Sequence, residues 1–192
     1  MAGSVAATEG SGGTRRRCAF PDPSAFDFVP RLEAVCEAIR GELLALDLDG
    51  FPESPDSLSL ARDGYDERGW RYLGLYGDGP GLEANRRRCP RAAAACAGVP
   101  GLVNAGFSLF RPGTHLYPHH GEREGVLRCH LPLIVPAGDL GLRAGGETRR
   151  WRPGRCLVLD DTVEHEAWNH GDGDRVVLIV SFGAEAGPGG AA

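Results

Sequence analysis

The stretch FSLFRPGTHLYPHHGEREGVLRCHLPL, Phe107 to Leu133, decides the fold. It opens on an apolar run, Gly106 to Phe110, turns at Arg111-Pro112-Gly113, and ends in a period-two segment, Val126 to Val135. Successive side chains of a strand point to opposite faces, so Leu127, Cys129, Leu131, Leu133 and Val135 share one side, and Arg128 and His130 share the other. Further out, Leu140 to Arg143 and Thr148 to Arg152 flank Gly145-Gly146, a hairpin signal. Trp70 to Tyr76 (WRYLGLY), Arg155 to Leu159 and Arg175 to Phe182 complete a series of short strands. This spacing predicts a mainly β fold: a double-stranded β-helix, jelly-roll or cupin-like, whose open mouth can hold a ligand.

One helix flanks it on the N-terminal side. Leu32, Val35, Ile39, Leu43 and Leu46 recur at three- and four-residue steps between Pro30 and Leu48, an amphipathic face expected to pack on the sheet. A short helix is expected through the alanine run of RCPRAAAACAG. Residues 1–17 and 185–192 are small, polar and Gly-rich and read as disordered tails around a single domain, 18–184.

Composition excludes several functions. The chain has 192 residues, enough to bury a core without staples, with a net charge of −5 and no segregated basic face, which argues against nucleic acid as a partner. It contains no lysine, so Schiff-base chemistry and the phosphate-loop lysine are absent. No apolar run has the length of a membrane span and the first 17 residues lack the apolar core of a signal peptide. The expectation is a cytoplasmic protein, with the ER lumen as the alternative for a fragment.

All six histidines fall between positions 115 and 170, which raises a metal-site hypothesis. His119 and His165, 46 positions apart, can be brought together from facing strands of a jelly roll. A two-histidine site with open positions suits Fe(II). Two residues beyond His119, where a carboxylate ligand commonly stands, lies Gly121. His115 reads as a strand-end structural residue and His170 as a loop residue, while His120 is placed to approach metal or substrate. Asp160 and Asp161 read as backbone caps, Trp168 as core, and Cys129 and Cys156 as buried thiols.

Several ordered motifs from Trp70 to Phe182 resemble the aspartyl/asparaginyl β-hydroxylase family of 2-oxoglutarate oxygenases: FSLFRPGTHLYPHHG, LRCHLPLIVP, ETRRWRPGRCLVLDDTVEHEAWN and the Arg175 strand. The resemblance implies that His119 and His165 hold Fe(II), with glycine at the carboxylate position. It implies that Ser108, Arg128, His130 and Arg175 hold the cosubstrate 2-oxoglutarate, and that O2 is consumed in hydroxylating a peptide, protein or small-molecule substrate. Peptidyl Asp/Asn is the leading substrate class; free or carrier-bound amino acids and lipid acyl chains are the alternatives. Cys89 and Cys96 match a disulfide-bridged loop of animal members. Animal peptide hydroxylases carry a substrate-binding arginine where this chain has Val126. Two other readings stay open: a jelly-roll binding protein without turnover, and a cupin-like enzyme using another metal.

Overall fold

The computed structural model describes residues 18–55, 61–62, 65–121 and 123–186. The N-terminal tail and residues 187–192 lie outside the described residues, while Ala184–Ala186 form a 3-10 turn. The strands are β1 (Ala61–Arg62), β2 (Tyr65–Asp66), β3 (Trp70–Tyr76), β4 (Leu102–Phe110), β5 (Thr114–His119) and β6 (Val126–Ile134). They continue with β7 (Gly138–Ala144), β8 (Glu147–Arg149), β9 (Leu157–Asp160), β10 (His165–Gly171) and β11 (Arg175–Gly183). They form two antiparallel sheets, one ordered β1-β2-β5-β10-β7-β8 and the other β3-β4-β11-β6-β9, the two-sheet arrangement expected of a jelly roll.

Alternation along the strands builds two apolar layers. On the five-stranded sheet, Leu127, Cys129, Leu131 and Leu133 of β6 join Val176, Leu178, Val180 and Phe182 of β11 in a core under the helices. Val177 and Ile179 point the other way and pack between the sheets with Leu116, Leu142, Leu157 and Leu159. Val135 departs from the predicted face. The β6–β11 register pairs Val176 with Ile134 and Val177 with Pro132, so Leu133 is one residue extra. That bulge reverses the alternation and sends Val135 to the layer between the sheets. The predicted hairpin forms as expected, with Gly145 and Gly146 at φ 55° and 86°, the left-handed pair of a type I′ turn.

The single N-terminal helix is divided in two: α1 (Phe28–Ala34) and α2 (Cys36–Leu44) meet at Val35, which leaves helical geometry at φ −102°, ψ 8°. The predicted face is preserved across the break, with Leu32, Ile39 and Leu43 buried against the sheet. Two further helices follow, α3 (Leu82–Arg88) and α4 (Pro90–Ala97), the latter covering the alanine run. The Cys89 side chain does not cap α4; Glu42 of α2 does, accepting from Arg91 N–H at 2.7 Å and Ala92 N–H at 3.0 Å. A carboxylate at a helix N-terminus satisfies orphan donors and complements the dipole. Glu42→Ala is therefore expected to lower stability by about 1–2 kcal/mol, read as a shift of the urea midpoint at unchanged slope.

The disulfide implied for Cys89 and Cys96 does not form. Both are free thiols fully buried in the helix-side core, where burial pushes Cys89 up to about 11 and Cys96 to about 12. Among the described residues, no helix is long and apolar enough to cross a membrane.

Candidate active site

His119 ends β5 and His165 begins β10. These strands are neighbours in one sheet rather than facing strands of two, and the two histidines stand directly opposite each other, ring centroids 4.3 Å apart. A bulge makes this possible. Leu116 pairs with Ala167, but His119 pairs with His165, so β5 spends three residues where β10 spends two. Leu116 points into the layer between the sheets, and strict alternation would turn His119 outward; the extra residue turns it back in.

Both imidazoles are oriented by the same device. The Nδ1–H of His119 donates to the Tyr117 carbonyl and that of His165 to the Val163 carbonyl, each two residues back at 2.8 Å. A carbonyl only accepts, so the proton sits on Nδ1 and each Nε2 keeps its lone pair, the arrangement usual for metal-ligating histidine. Burial, reinforced by neighbouring His119, pushes His165 down to about 3, so it is neutral.

The facing sheet supplies cations and donors. Arg175 begins β11 and is 1% exposed, its guanidinium 3.5 Å over the Phe110 ring and 4.6 Å over the Trp151 ring. Its Nη1 reaches the Ser108 carbonyl at 3.4 Å, its Nε has no partner, and none of the ion pairs among the described residues includes it. Burial pulls Arg175 down to about 9. Guanidinium does not deprotonate in proteins, so the shift expresses the cost of a buried cation lacking an anion. His130 is held well below the usual imidazole range by burial and then by Arg175 and Arg128, and it too is neutral.

Ser108, His119, Arg128, His130, His165 and Arg175, the six residues singled out in the sequence, all line one inner cavity of about 30 Å³. That is room for a carboxylate-sized group. Leu116, Trp70, His119 and Arg128 also line an outer cleft of about 520 Å³, together with His120, Arg123, Val126, Asn104 and Ser181. His115 and His170 are elsewhere: His170 lies within β10, not in a loop, and both lie against Trp168 at tilted ring angles, Trp168 being half-buried rather than core. Among the described residues, no cluster of three or more His, Cys, Asp and Glu side chains could hold a metal; of the cavity's three imidazoles, two, His119 and His165, present an Nε2 lone pair.

Asp161 was missed. Asp160 behaves as a cap, accepting from Thr162 N–H and hydroxyl, but Asp161 is buried in the site. Its Oδ1 lies 3.0 Å from Arg128 Nε, an ion pair without hydrogen-bond geometry, and 3.5 Å from His165 Nε2. Its Oδ2 fills the space above Gly121: a Cβ built there would meet it at 1.9 Å. A carboxylate thus stands beside the imidazoles although position 121 supplies none. Gly121→Ala must displace that carboxylate, while the Gly121 N–H that donates to the Asp161 carbonyl at 2.7 Å resists the move. The expected loss of stability is about 1–3 kcal/mol, measured by urea unfolding.

The chain matches the profile of the aspartyl/asparaginyl beta-hydroxylase family over residues 33–184. It is 39% identical over 165 residues to the ornithine lipid ester-linked acyl 2-hydroxylase of Rhizobium tropici, covering 84% of this chain and 59% of that protein. It is 30% identical over 163 residues to the aspartyl/asparaginyl beta-hydroxylase of Mus musculus, covering 80% of this chain and 21% of that protein. The human aspartate beta-hydroxylase domain-containing protein 1 is 34% identical over 188 residues, with 84% and 45% covered. The chain therefore spans little more than half of the first relative's length and about a fifth of the second's. Among solved structures, a cupin 2 conserved barrel domain protein from Salinispora arenicola aligns over 73% of this chain and 87% of its own at 13% identity, with a TM-score of 0.43. Since the family profile runs through both sheets and takes in every residue of the inner cavity, this chain belongs to the aspartyl/asparaginyl beta-hydroxylase family.

Proposed function

We propose that this chain is an Fe(II)- and 2-oxoglutarate-dependent hydroxylase. One observation carries the reading: a fully buried arginine with no acidic partner among the described residues shares a small cavity with two imidazoles that keep their Nε2 lone pairs. An unpaired buried charge is costly and is kept where a ligand completes it. The donor set fits both groups. His119 and His165 would hold Fe(II) through Nε2, and Arg175 with the Ser108 hydroxyl would hold the far carboxylate of 2-oxoglutarate. Arg128 and His130, on the same face of β6, add a cation and a neutral donor to the lining of that cavity.

Fe(II) with 2-oxoglutarate and O2 supplies the oxidising chemistry, in which the cosubstrate becomes succinate and CO2 and one oxygen atom enters a C–H bond of the substrate. The protein's share is orientation and exclusion of water. Phe110, Leu116, Leu142, Leu159 and Ile179 wall the cavity with apolar surface, so charge on Arg175 acts at low dielectric.

The proposed substrate class rests on what the relatives' named reactions share. The β-carbon of an aspartyl residue and C2 of an ester-linked acyl group are both methylenes next to a carboxyl-derived carbonyl. Such a methylene, presented in the outer cleft, is the proposed target. Between peptidyl Asp/Asn and a neutral acyl ester, Val126 in the cleft favours the ester, because the arginine that anchors a free carboxylate is missing at that position. The test is incubation with Fe(II), 2-oxoglutarate and 18O2 against Asp/Asn peptides and ester-linked acyl lipids. The expected result is succinate release and one added labelled oxygen on the acyl C2, both lost in His119→Ala. Absence of succinate with every substrate would overturn the reading.

A further inference from the structure

An indole N–H can only donate. Two buried tryptophans use this at the cavity: Trp151 Nε1–H donates to His130 Nδ1 at 3.2 Å, and Trp70 Nε1–H donates to Ser108 Oγ at 3.1 Å. Each indole occupies an acceptor of a cavity-lining group. For a neutral imidazole whose Nδ1 accepts, the proton must be on Nε2, so His130 is the opposite tautomer to His119 and His165. One cavity thus holds three imidazoles of two kinds. Two present a lone pair, as a cation requires, and one presents an N–H, as an anion requires. Ser108 is biased the same way, since its oxygen is engaged by Trp70 and its own proton is left to donate.

We propose that Trp151 and Trp70 are positioning residues that fix the donor polarity of the anion half of the cavity. Trp151, 4% exposed in the connection between β8 and β9, serves both groups there, holding His130 by its N–H and lying under the Arg175 guanidinium by its face. Without the indole N–H, His130 is free to turn its lone pair to the cavity, where it would repel a carboxylate. The proposal rests on the reading of 2-oxoglutarate as the anion, but its first measurement does not.

The tautomers are read in the metal-free, ligand-free protein by 15N–1H correlation spectra of the imidazoles, with His130 assigned by the loss of its signals in His130→Gln. The expected pattern is Nε2–H for His130 and Nδ1–H for His119 and His165. Trp151→Phe keeps a ring face for Arg175 and deletes only the N–H. His130 should then show both tautomers, and the Kd for 2-oxoglutarate with Mn(II) should rise on the order of 10-fold, as loss of one charge-assisted hydrogen bond implies, at unchanged Mn(II) affinity. Trp70→Phe should weaken 2-oxoglutarate similarly while leaving the His130 tautomer alone. A wild-type His130 protonated on Nδ1 would overturn the proposal even if Trp151→Phe does not fold. So would a Trp151→Phe protein with both the tautomer and the Kd of wild type. Wild-type protein with the predicted tautomers but no affinity for 2-oxoglutarate would instead sink the functional reading and leave the assignment of polarity standing.

Discussion

Arg175→Met is expected to lose at least about 100-fold in affinity for 2-oxoglutarate while gaining stability, the two effects having opposite sign because they have one cause. The guanidinium is 1% exposed, stacked between Phe110 and Trp151, and none of the ion pairs among the described residues includes it. In the ligand-free protein it is a desolvated cation that, among the described residues, meets two ring faces and makes one long contact to the Ser108 carbonyl at 3.4 Å. Methionine fills similar volume and removes the charge, so the urea midpoint should rise by the equivalent of about 1–3 kcal/mol. Binding of the dicarboxylate loses a bidentate, permanently charged partner. Calorimetric titration and urea unfolding of the same preparation check both arms. A fall in both would mean that Arg175 is structural.

His165→Ala should abolish turnover, with activity down by more than about 100-fold, since even changes to the groups that orient a metal ligand cost 10–100-fold. It is 4% exposed, its ring paired with His119 and oriented by Val163, and no other side chain in the cavity presents an imidazole lone pair in its place. His130 cannot substitute while Trp151 holds its Nδ1. The control is His115→Ala, on the outer face of the same sheet where His115 contacts Glu166 and Tyr65, which should retain most activity. Metal content by mass spectrometry separates a lost ligand from a lost fold: His165→Ala should keep the wild-type far-ultraviolet circular dichroism and bind less Fe(II).

Legibility in the sequence follows burial. β3 was readable residue for residue at Trp70–Tyr76, and β6 and β11 nearly so, because their alternation separates a helix-side core from a layer between sheets. The strands that bear the histidine pair were the least readable. In β10 the inward positions are His165, Ala167 and Asn169 and the outward ones Glu166, Trp168 and His170, so polarity does not alternate. Sites of function are where local pattern and fold are expected to conflict. In β5 the bulge before His119 inverts its face, and nothing in THLYPH announces it beyond Pro118, which has no N–H to offer a ladder. Asp161 was legible and overlooked: counting by twos from Leu157 and Leu159, both between the sheets, places it on the cavity side. The break at Val35 and the bulge at Leu133 are set by tertiary packing, which a single strand or helix pattern does not encode. The roles of Trp70 and Trp151 depend on which acceptor each N–H meets across the sheet, at sequence distances of 38 and 21.

The most direct measurement is anaerobic calorimetric titration of the protein with 2-oxoglutarate, with and without redox-silent Mn(II), repeated on His165→Ala and Arg175→Met. The predicted result is one equivalent bound in the presence of Mn(II), much weaker binding without it, and severe loss in each variant. Binding that is indifferent to Mn(II), to His165 and to Arg175, or no binding under any of these conditions, would contradict a cavity built from one imidazole pair and one buried arginine.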